Sequence, residues 1–148
     1  MTIWNKQASI EELNNWAQDT LISHINIKFS KLGPDFLTAI MPVSEKTRQP
    51  MGILHGGASC VLSETVGTAA AHLAADSNKT CVGLELNINH IKKVSQGEIE
   101  AIASPLHIGR STQVWEIKIF NSQKELIAAA RLTVAVVEIK NVSKQKTP

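Results

Sequence analysis

The sequence predicts an α+β fold in which one long central helix is wrapped by a mainly antiparallel curved sheet, and three observations lead there. Residues 58–75 hold no proline and many alanines, with Val61, Leu62, Val66, Ala69 and Leu73 at the spacing of one helical face. Two short strand-like segments precede this stretch and four follow it. The connections between them are of turn length, which favours antiparallel neighbours over crossovers.

Taken in order, Ser9 and Glu12 have capping-box spacing, and Ile10, Leu13 and Trp16 recur at helical intervals, predicting a short helix that ends near Asp19. Ile25, Ile27 and Phe29 alternate as in a strand, and Gly33, Pro34 and Asp35 form a turn into a second strand at 36–43. Pro42 and Pro50 bracket a loop before the central helix. After a polar turn at 76–79, residues 81–90, 97–104, 114–120 and 126–137 read as a four-strand meander. Val82, Leu84, Leu86 and Ile88 alternate along its first strand, and Leu126, Ala128, Ala130, Leu132, Val134 and Val136 along its last. A helix of about 18 residues spans roughly 27 Å, enough to cover one face of such a sheet. The other face and the edges stay open, which predicts association with further copies.

Composition narrows the function. A chain of 148 residues with 43% apolar content suits one domain, taken as residues 1–140, with residues 141–148 as a polar, Lys-rich tail. The longest apolar stretches are broken by His72 and Arg131 and fall short of the roughly 20 residues a bilayer requires. Residues 1–15 lack the apolar core and small-residue cleavage site of a signal peptide, so a cytoplasmic location is expected. Cys60 and Cys81 have no CxxC or CxxH partner, which argues against a zinc site or a disulfide framework. A net charge of +2, without alternating basic and aromatic residues, argues against nucleic-acid binding.

The chemistry-bearing stretch runs from Gln49 through His55, Gly56 and Gly57 into the helix that carries Glu64 and Thr68. Two glycines before a helix allow close substrate approach, and the first helical N–H groups lack intrahelical partners, so they can face developing negative charge. Thr68, four residues after Glu64, shares its face. Taken singly, a Gly-Gly pair is more often a turn and a helical glutamate more often a solvated residue; the functional reading of their joint spacing rests mainly on a family resemblance. His72 reads as a core or interface histidine and His24 as structural. His90 and His107 end strand-like segments and fit either substrate contact or turn closure. Cys60, four residues before Glu64, has no adjacent base.

The run Leu54-His55-Gly56-Gly57-Ala58, then Glu64, then Gly83-Leu84-Glu85-Leu86-Asn87 and Pro105-Leu106-His107, resembles the hotdog-fold thioesterases of the PaaI-like kind. The match extends from the N-terminal helix to about Val137, and is strongest to the branch containing 1,4-dihydroxy-2-naphthoyl-CoA hydrolases and the proofreading thioesterase of enterobactin synthesis. The resemblance implies hydrolysis of acyl-CoA or acyl-carrier thioesters, without a cofactor or metal. It implies Glu64 as nucleophile or general base, the Gly56 N–H as oxyanion donor, Gln49 and His55 orienting carbonyl and water, and Thr68 positioning Glu64 or the water. One carboxylate plus an oxyanion donor can suffice because a thiolate, whose conjugate thiol has a pKa of about 8.5, leaves readily.

For the CoA arm the resemblance implies Gly83, His90, Ile91, Lys92 and Lys93, together with His107, Ile108, Gly109, Arg110, Ser111 and Thr112. Lys92, Lys93 and Arg110 are suitable phosphate partners, with backbone and hydroxyl donors from Gly109 and Ser111. It further implies a homodimer sharing the active site, paired again into a homotetramer, and an aromatic acyl group such as dihydroxynaphthoyl or hydroxybenzoyl, hence menaquinone synthesis, with carrier-protein proofreading or phenylacetyl-CoA salvage as alternatives.

Two enzyme rivals are weaker. An α/β-hydrolase would need a GxSxG elbow and a longer chain, and a hotdog dehydratase would carry a His-Phe-Pro-Gly type segment where His55 is followed by two glycines. A non-catalytic acyl-CoA-binding module would be expected to lack Glu64.

Overall fold

The structure is a computed structural model that describes residues 2–139; the polar tail expected at 141–148 lies outside the described residues. The capping box at Ser9 forms as expected, with Glu12 N–H donating to Ser9 Oγ and Ser9 N–H to Glu12 Oε2, and it starts helix α1 (Ile10–Trp16). A second helix, α2 (Leu21–His24), follows unannounced in the sequence pattern. It begins at its own cap, Thr20, whose hydroxyl accepts from Ile22 N–H.

Strand β1 (Lys28–Leu32) begins later than the Ile25 alternation implied, because Asn26 takes a left-handed conformation (φ 60°) that turns the chain before it extends. Ile25 and Ile27 are nevertheless buried, so the alternation recorded burial rather than strand. Strand β2 (Leu37–Pro42) closes the hairpin, and the long helix α3 (Gly56–Ala74) follows. The remaining strands are β3 (Lys79–His90), β4 (Glu98–Ile108), β5 (Thr112–Phe120) and β6 (Leu126–Glu138).

The six strands form one antiparallel sheet in the order β1-β2-β4-β5-β6-β3. The expected four-strand meander is corrected here: β4, β5 and β6 are consecutive neighbours, but β3 pairs with β6 at the far edge and β4 pairs with β2. The seven residues between β3 and β4 cross the sheet end instead of forming a hairpin. That crossing is pinned by Ile91 and Lys92 N–H to Ile127 O, Leu54 N–H to Val94 O and Val43 N–H to Gly97 O.

Helix α3 lies on one face of this sheet. Leu62, Val66 and Ala70 are fully buried against Leu37, Ile99, Ile117 and Leu132. Gly67 permits the close approach, since a Cβ there would stand 2.6 Å from Leu132 Cδ2. The C-terminal carbonyls of α3, which a helix leaves unpaired, are met by the N-terminal arm: Leu73 O accepts from Asn5 and Lys6 N–H, and Ala74 O from Asn5 Nδ2.

Among the described residues the ladders carry four register irregularities, of which those in β3 and β4 bear on the site. In β3 the register shifts between Gly83 and Glu85, so Val82, Leu84, Leu86 and Ile88 do not share one face. Leu86 and Ile88 turn toward the core while Val82 and Leu84 are more than half exposed. In β4 the shift lies between Pro105 and His107, and the strand continues past Ser104, where the sequence pattern had ended it. Pro105 is tolerated because β2 pairs only as far as Ala103, leaving the proline on a free edge.

Candidate active site

Helix α3 starts at Gly56, two residues earlier than the apolar periodicity indicated. His55 supplies the cap with extended backbone (φ −73°, ψ 130°), and its Nδ1 accepts from Gly57 N–H at 2.8 Å. Histidine is not among the usual capping residues, so this boundary carried little sequence signal. With Nδ1 accepting, the ring proton resides on Nε2. His55 O accepts from Ala58 N–H at 3.0 Å and Ser59 N–H at 3.3 Å, and His55 N–H donates to Thr47 O. Of the first three N–H groups of α3, Gly56's alone has no acceptor among the described residues.

Gln49 stands beside this terminus in a tight turn completed by Gly52 at φ 78°. Its Oε1 accepts from Met51 N–H at 2.8 Å, which leaves the amide NH₂ as the outward donor. Gln49, His55 and Gly56 thus present donors from one rigid loop and helix end.

Glu64 lies two turns further along α3, about 12 Å from Gly56 along the axis. Burial raises its carboxyl above the ordinary glutamate value, and the Thr68 hydroxyl pulls it back in part. That hydroxyl does not close to full hydrogen-bonding geometry, and its buried Oγ1 has no other partner among the described residues. Gly83 on β3 faces the carboxylate so closely that a Cβ there would overlap Glu64 Oε1. The β3 bulge makes this possible: it places Gly83 and, seven residues on, His90 on the helix side of one strand, where His90 lies against Gly56.

A cleft of about 690 Å³ opens beside Glu64 between α3 and the N-terminal arm and α1, lined by Leu13, Trp16, Thr68, Ala69 and His72 among others. A smaller hollow of about 260 Å³ lies at Gly56, His90, Ile91, Lys92 and Lys93. The structure therefore brings Glu64, Thr68 and Gly83 together, and gathers Gln49, His55 and Gly56 separately at the start of the helix.

The expected CoA-binding residues also divide. His90 to Lys93 sit beside Ile127 at the start of β6, whereas the turn from Gly109 to Ser111 sits beside Val136 at its end, through Ser111 O and Val136 N–H. Nine residues of strand, about 30 Å, separate these ends. Lys92 is held by Glu125, itself bound to Asn121, while Lys93 and Arg110 make no ion pair among the described residues. His107 folds over Gly109, and Gly109 N–H closes the turn onto Thr112 O at 3.0 Å; Ile108 is exposed.

The sequence reading missed the far end of the large cleft. There His72 Nδ1 lies 3.1 Å from Thr80 Oγ1, and Lys6 Nζ lies 3.4 Å from both ring nitrogens of His72. The four-residue steps from Glu64 to Thr68 to His72 were the available signal. No group of three or more metal-ligating side chains occurs among the described residues, nor any helix long and apolar enough to cross a membrane.

One helix across one antiparallel sheet, with an open helix N-terminus and a half-buried helix carboxylate, defines a hotdog-fold enzyme built for thioester hydrolysis. The family model described as Thioesterase superfamily matches residues 51–128, and the chain belongs to that family. It is 40% identical over 134 residues to the 1,4-dihydroxy-2-naphthoyl-CoA hydrolase of Escherichia coli, covering 90% of this chain and 98% of that protein. It is 42% identical over 134 residues to the proofreading thioesterase EntH of Cronobacter turicensis, covering 90% and 98%. A crystal structure of a thioesterase from Haemophilus influenzae superposes with a TM-score of 0.93 at 39% identity, covering 96% of this chain and 99% of that one.

Proposed function

We propose that the protein hydrolyses acyl-CoA thioesters to the free acid and CoA, preferring aromatic acyl groups of the 1,4-dihydroxy-2-naphthoyl kind, and so serves menaquinone synthesis in the cytoplasm. The observation that carries this reading is the Glu64 carboxylate, half-buried at a largely apolar cleft and faced by a glycine that leaves room for the carboxylate.

In the proposed reaction Glu64 either attacks the thioester carbonyl or takes a proton from the attacking water. The Gly56 N–H receives the charge that develops on the carbonyl oxygen, a role worth about 10²–10³ in rate for one donor. Gln49 Nε2 and His55 Nε2 orient carbonyl and water, and Thr68 holds the carboxylate. Where Glu64 acts as base, the water oxygen bonds to the carbonyl carbon, the C–S bond breaks and the proton Glu64 took passes to the departing thiolate; where Glu64 attacks, the thiolate leaves a mixed anhydride that water then hydrolyses to the free acid and the Glu64 carboxylate, the released proton neutralising the thiolate.

Because Gly56 and Glu64 of one chain stand about two helical turns apart, the complete site is assigned to a homodimer in which each Glu64 meets the partner's loop. The exposed Val82 and Leu84 on the free β3 edge support that pairing, and two such dimers would form the tetramer. The same pairing can unite Lys93 and Arg110 around CoA phosphates, with Gly83, His90, Ile91, Lys92, His107, Ile108, Gly109, Ser111 and Thr112 completing the contact.

The test follows thiol release from 1,4-dihydroxy-2-naphthoyl-CoA, benzoyl-CoA, phenylacetyl-CoA, short acyl-CoAs and palmitoyl-CoA, for the parent and Glu64→Ala. Turnover that falls about 100-fold or more in the variant is expected. Binding without cleavage of any of these would overturn the reading in favour of a non-catalytic acyl-CoA-binding module. Faster cleavage of acylated carrier protein than of CoA thioesters would shift it to proofreading.

A further inference from the structure

The cleft beside Glu64 has two unlike walls. One is α3, with Glu64, Thr68 and Ala69 on a helix whose Leu62, Val66 and Ala70 are fully buried. The other is α1, which contributes Glu12, Leu13 and Trp16 and buries no side chain fully. Ile10 and Leu13 reach the core only half-buried. Trp16, an indole beside a largely apolar cleft, is 69% exposed.

Polar ties to this second wall are equally sparse. Among the described residues, no hydrogen bond or ion pair joins residues 7–13 to anything beyond α1 and its caps. Before that segment, Asn5 and Lys6 are fixed to the end of α3; after α1, the chain is next held where Lys46 Nζ donates to His24 O at 3.0 Å. Between these points the tie is Asn14, whose Nδ2 donates to Phe29 O at 3.0 Å and whose Oδ1 accepts from Phe29 N–H at 2.9 Å. Phe29 belongs to β1, the outermost strand, so one side chain satisfies both backbone groups of Phe29 at that edge.

This arrangement leaves α1 free to roll. Two residues of helix amount to about 200° of rotation, so Asn14 anchors the back of α1 while Trp16 projects from its front. Asp19, at φ 58°, turns the chain just beyond α1 and uncouples it from α2. A helix with few buried contacts and one lateral anchor belongs to the low end of local stability, where moving elements are found. Rolling toward α3 narrows the cleft and carries the indole over whatever lies beside Glu64. In the open position that indole faces water, and an apolar group in the cleft gives its surface a partner.

We infer that α1 is a lid on the cleft, pivoting on Asn14, and that it closes Trp16 over the acyl group when a thioester binds. The inference rests on the thioesterase reading for the identity of the occupant, but not for the motion.

The three tryptophans supply the test. Trp4 stacks on the fully buried Trp115, which leaves Trp16 as the exposed reporter. Fluorine NMR is recorded on protein grown with 5-fluorotryptophan, with Trp16→Phe assigning the line. In the free protein the Trp16 line should move between light and heavy water. Saturating phenacyl-CoA, a thioether that cannot be hydrolysed, should abolish that sensitivity, and CoA alone should leave it. In kinetics, Trp16→Ala should raise KM for benzoyl-CoA about tenfold, the scale of one buried apolar side chain, with kcat and the KM for acetyl-CoA little changed.

A Trp16 line already insensitive to solvent in the free protein would mean that a second copy covers the indole, and would overturn the inference. A line that stays sensitive with phenacyl-CoA present, or an unchanged KM for benzoyl-CoA, would overturn it too. Hydrolysis by a parent whose Trp16 stays exposed would remove the lid and leave the thioesterase reading standing. Closure on phenacyl-CoA in a protein that cleaves no thioester would do the reverse.

Discussion

Gly83 lies so close to Glu64 that a methyl group at position 83 would occupy the space of the carboxylate oxygen. The glycine is not there for its backbone, since the glycines with left-handed φ are Gly52 and Gly97. Gly83→Ala should therefore push the carboxylate out of position without disturbing the strand. The expected result is a fall in kcat of about tenfold to 100-fold, the scale of a misplaced catalytic group, with KM and melting temperature little changed. Parent-like kcat in steady-state assays would detach Glu64 from the chemistry.

The environment of Glu64 also fixes the direction of its pH dependence. Burial disfavours the charged form and raises the pKa, and the Thr68 hydroxyl lowers it in part. In the proposed reaction hydrolysis needs the carboxylate, so activity should be lost as pH falls through that raised pKa. The acidic limb of kcat/KM should lie above the ordinary glutamate value of 4.5. Thr68→Val removes the lowering contribution and should move the limb further up. A limb that stays in place in the variant would show that Thr68 does not act on Glu64.

The same shift bears on stability with the opposite sign to function. A carboxyl whose folded pKa exceeds its unfolded one destabilises the fold above the folded pKa, and this strain disappears as pH falls below the unfolded value. Glu64→Gln should accordingly be nearly inactive yet melt at the same temperature as the parent or higher at neutral pH. Near pH 4 the difference should vanish. A variant that melts lower at neutral pH would mean that the charged form makes stabilising contacts.

How far the sequence revealed this site depended on which residues had a periodic signature. The helix stripe that buries Leu62, Val66 and Leu73 was visible because burial imposes a 3.6-residue period. The start at Gly56 was not, because the cap is a histidine acting through Nδ1. The β3 bulge was equally hidden: Val82, Leu84, Leu86 and Ile88 show perfect alternation, and only pairing with β6 reveals the extra residue that turns Gly83 and His90 to the same side. Strand order was lost for a related reason, since antiparallel pairing is local in hairpins and β3 finds its neighbour from across the sheet. The cluster at His72 combines positions 6, 72 and 80, and no short motif spans such separations.

The role of Gly56 can be separated from its size. Its N–H is open and its Cα faces His90, whose Nε2 would stand 2.9 Å from an added Cβ. Gly56→Ala and Gly56→Pro both crowd that ring, but only proline removes the N–H, and proline is well tolerated at the first position of a helix. The proline variant should lose a further factor of about 100 in kcat relative to the alanine variant. Equal activities would exclude this N–H as the oxyanion donor.

Those two defects also report whether the site is shared. If Glu64 of one subunit works with Gly56 of its partner, a heterodimer of Glu64→Gln and Gly56→Pro chains carries both defects in one site and neither in the other. Co-expression of two differently tagged chains, followed by isolation of the mixed species, should yield close to half the parent's activity per dimer, although each homodimer is nearly inactive. If both groups instead acted within one chain, every site in the mixed dimer would keep one defect and activity would stay at the level of the homodimers. The separation of about 12 Å between the two positions along α3 argues for recovery.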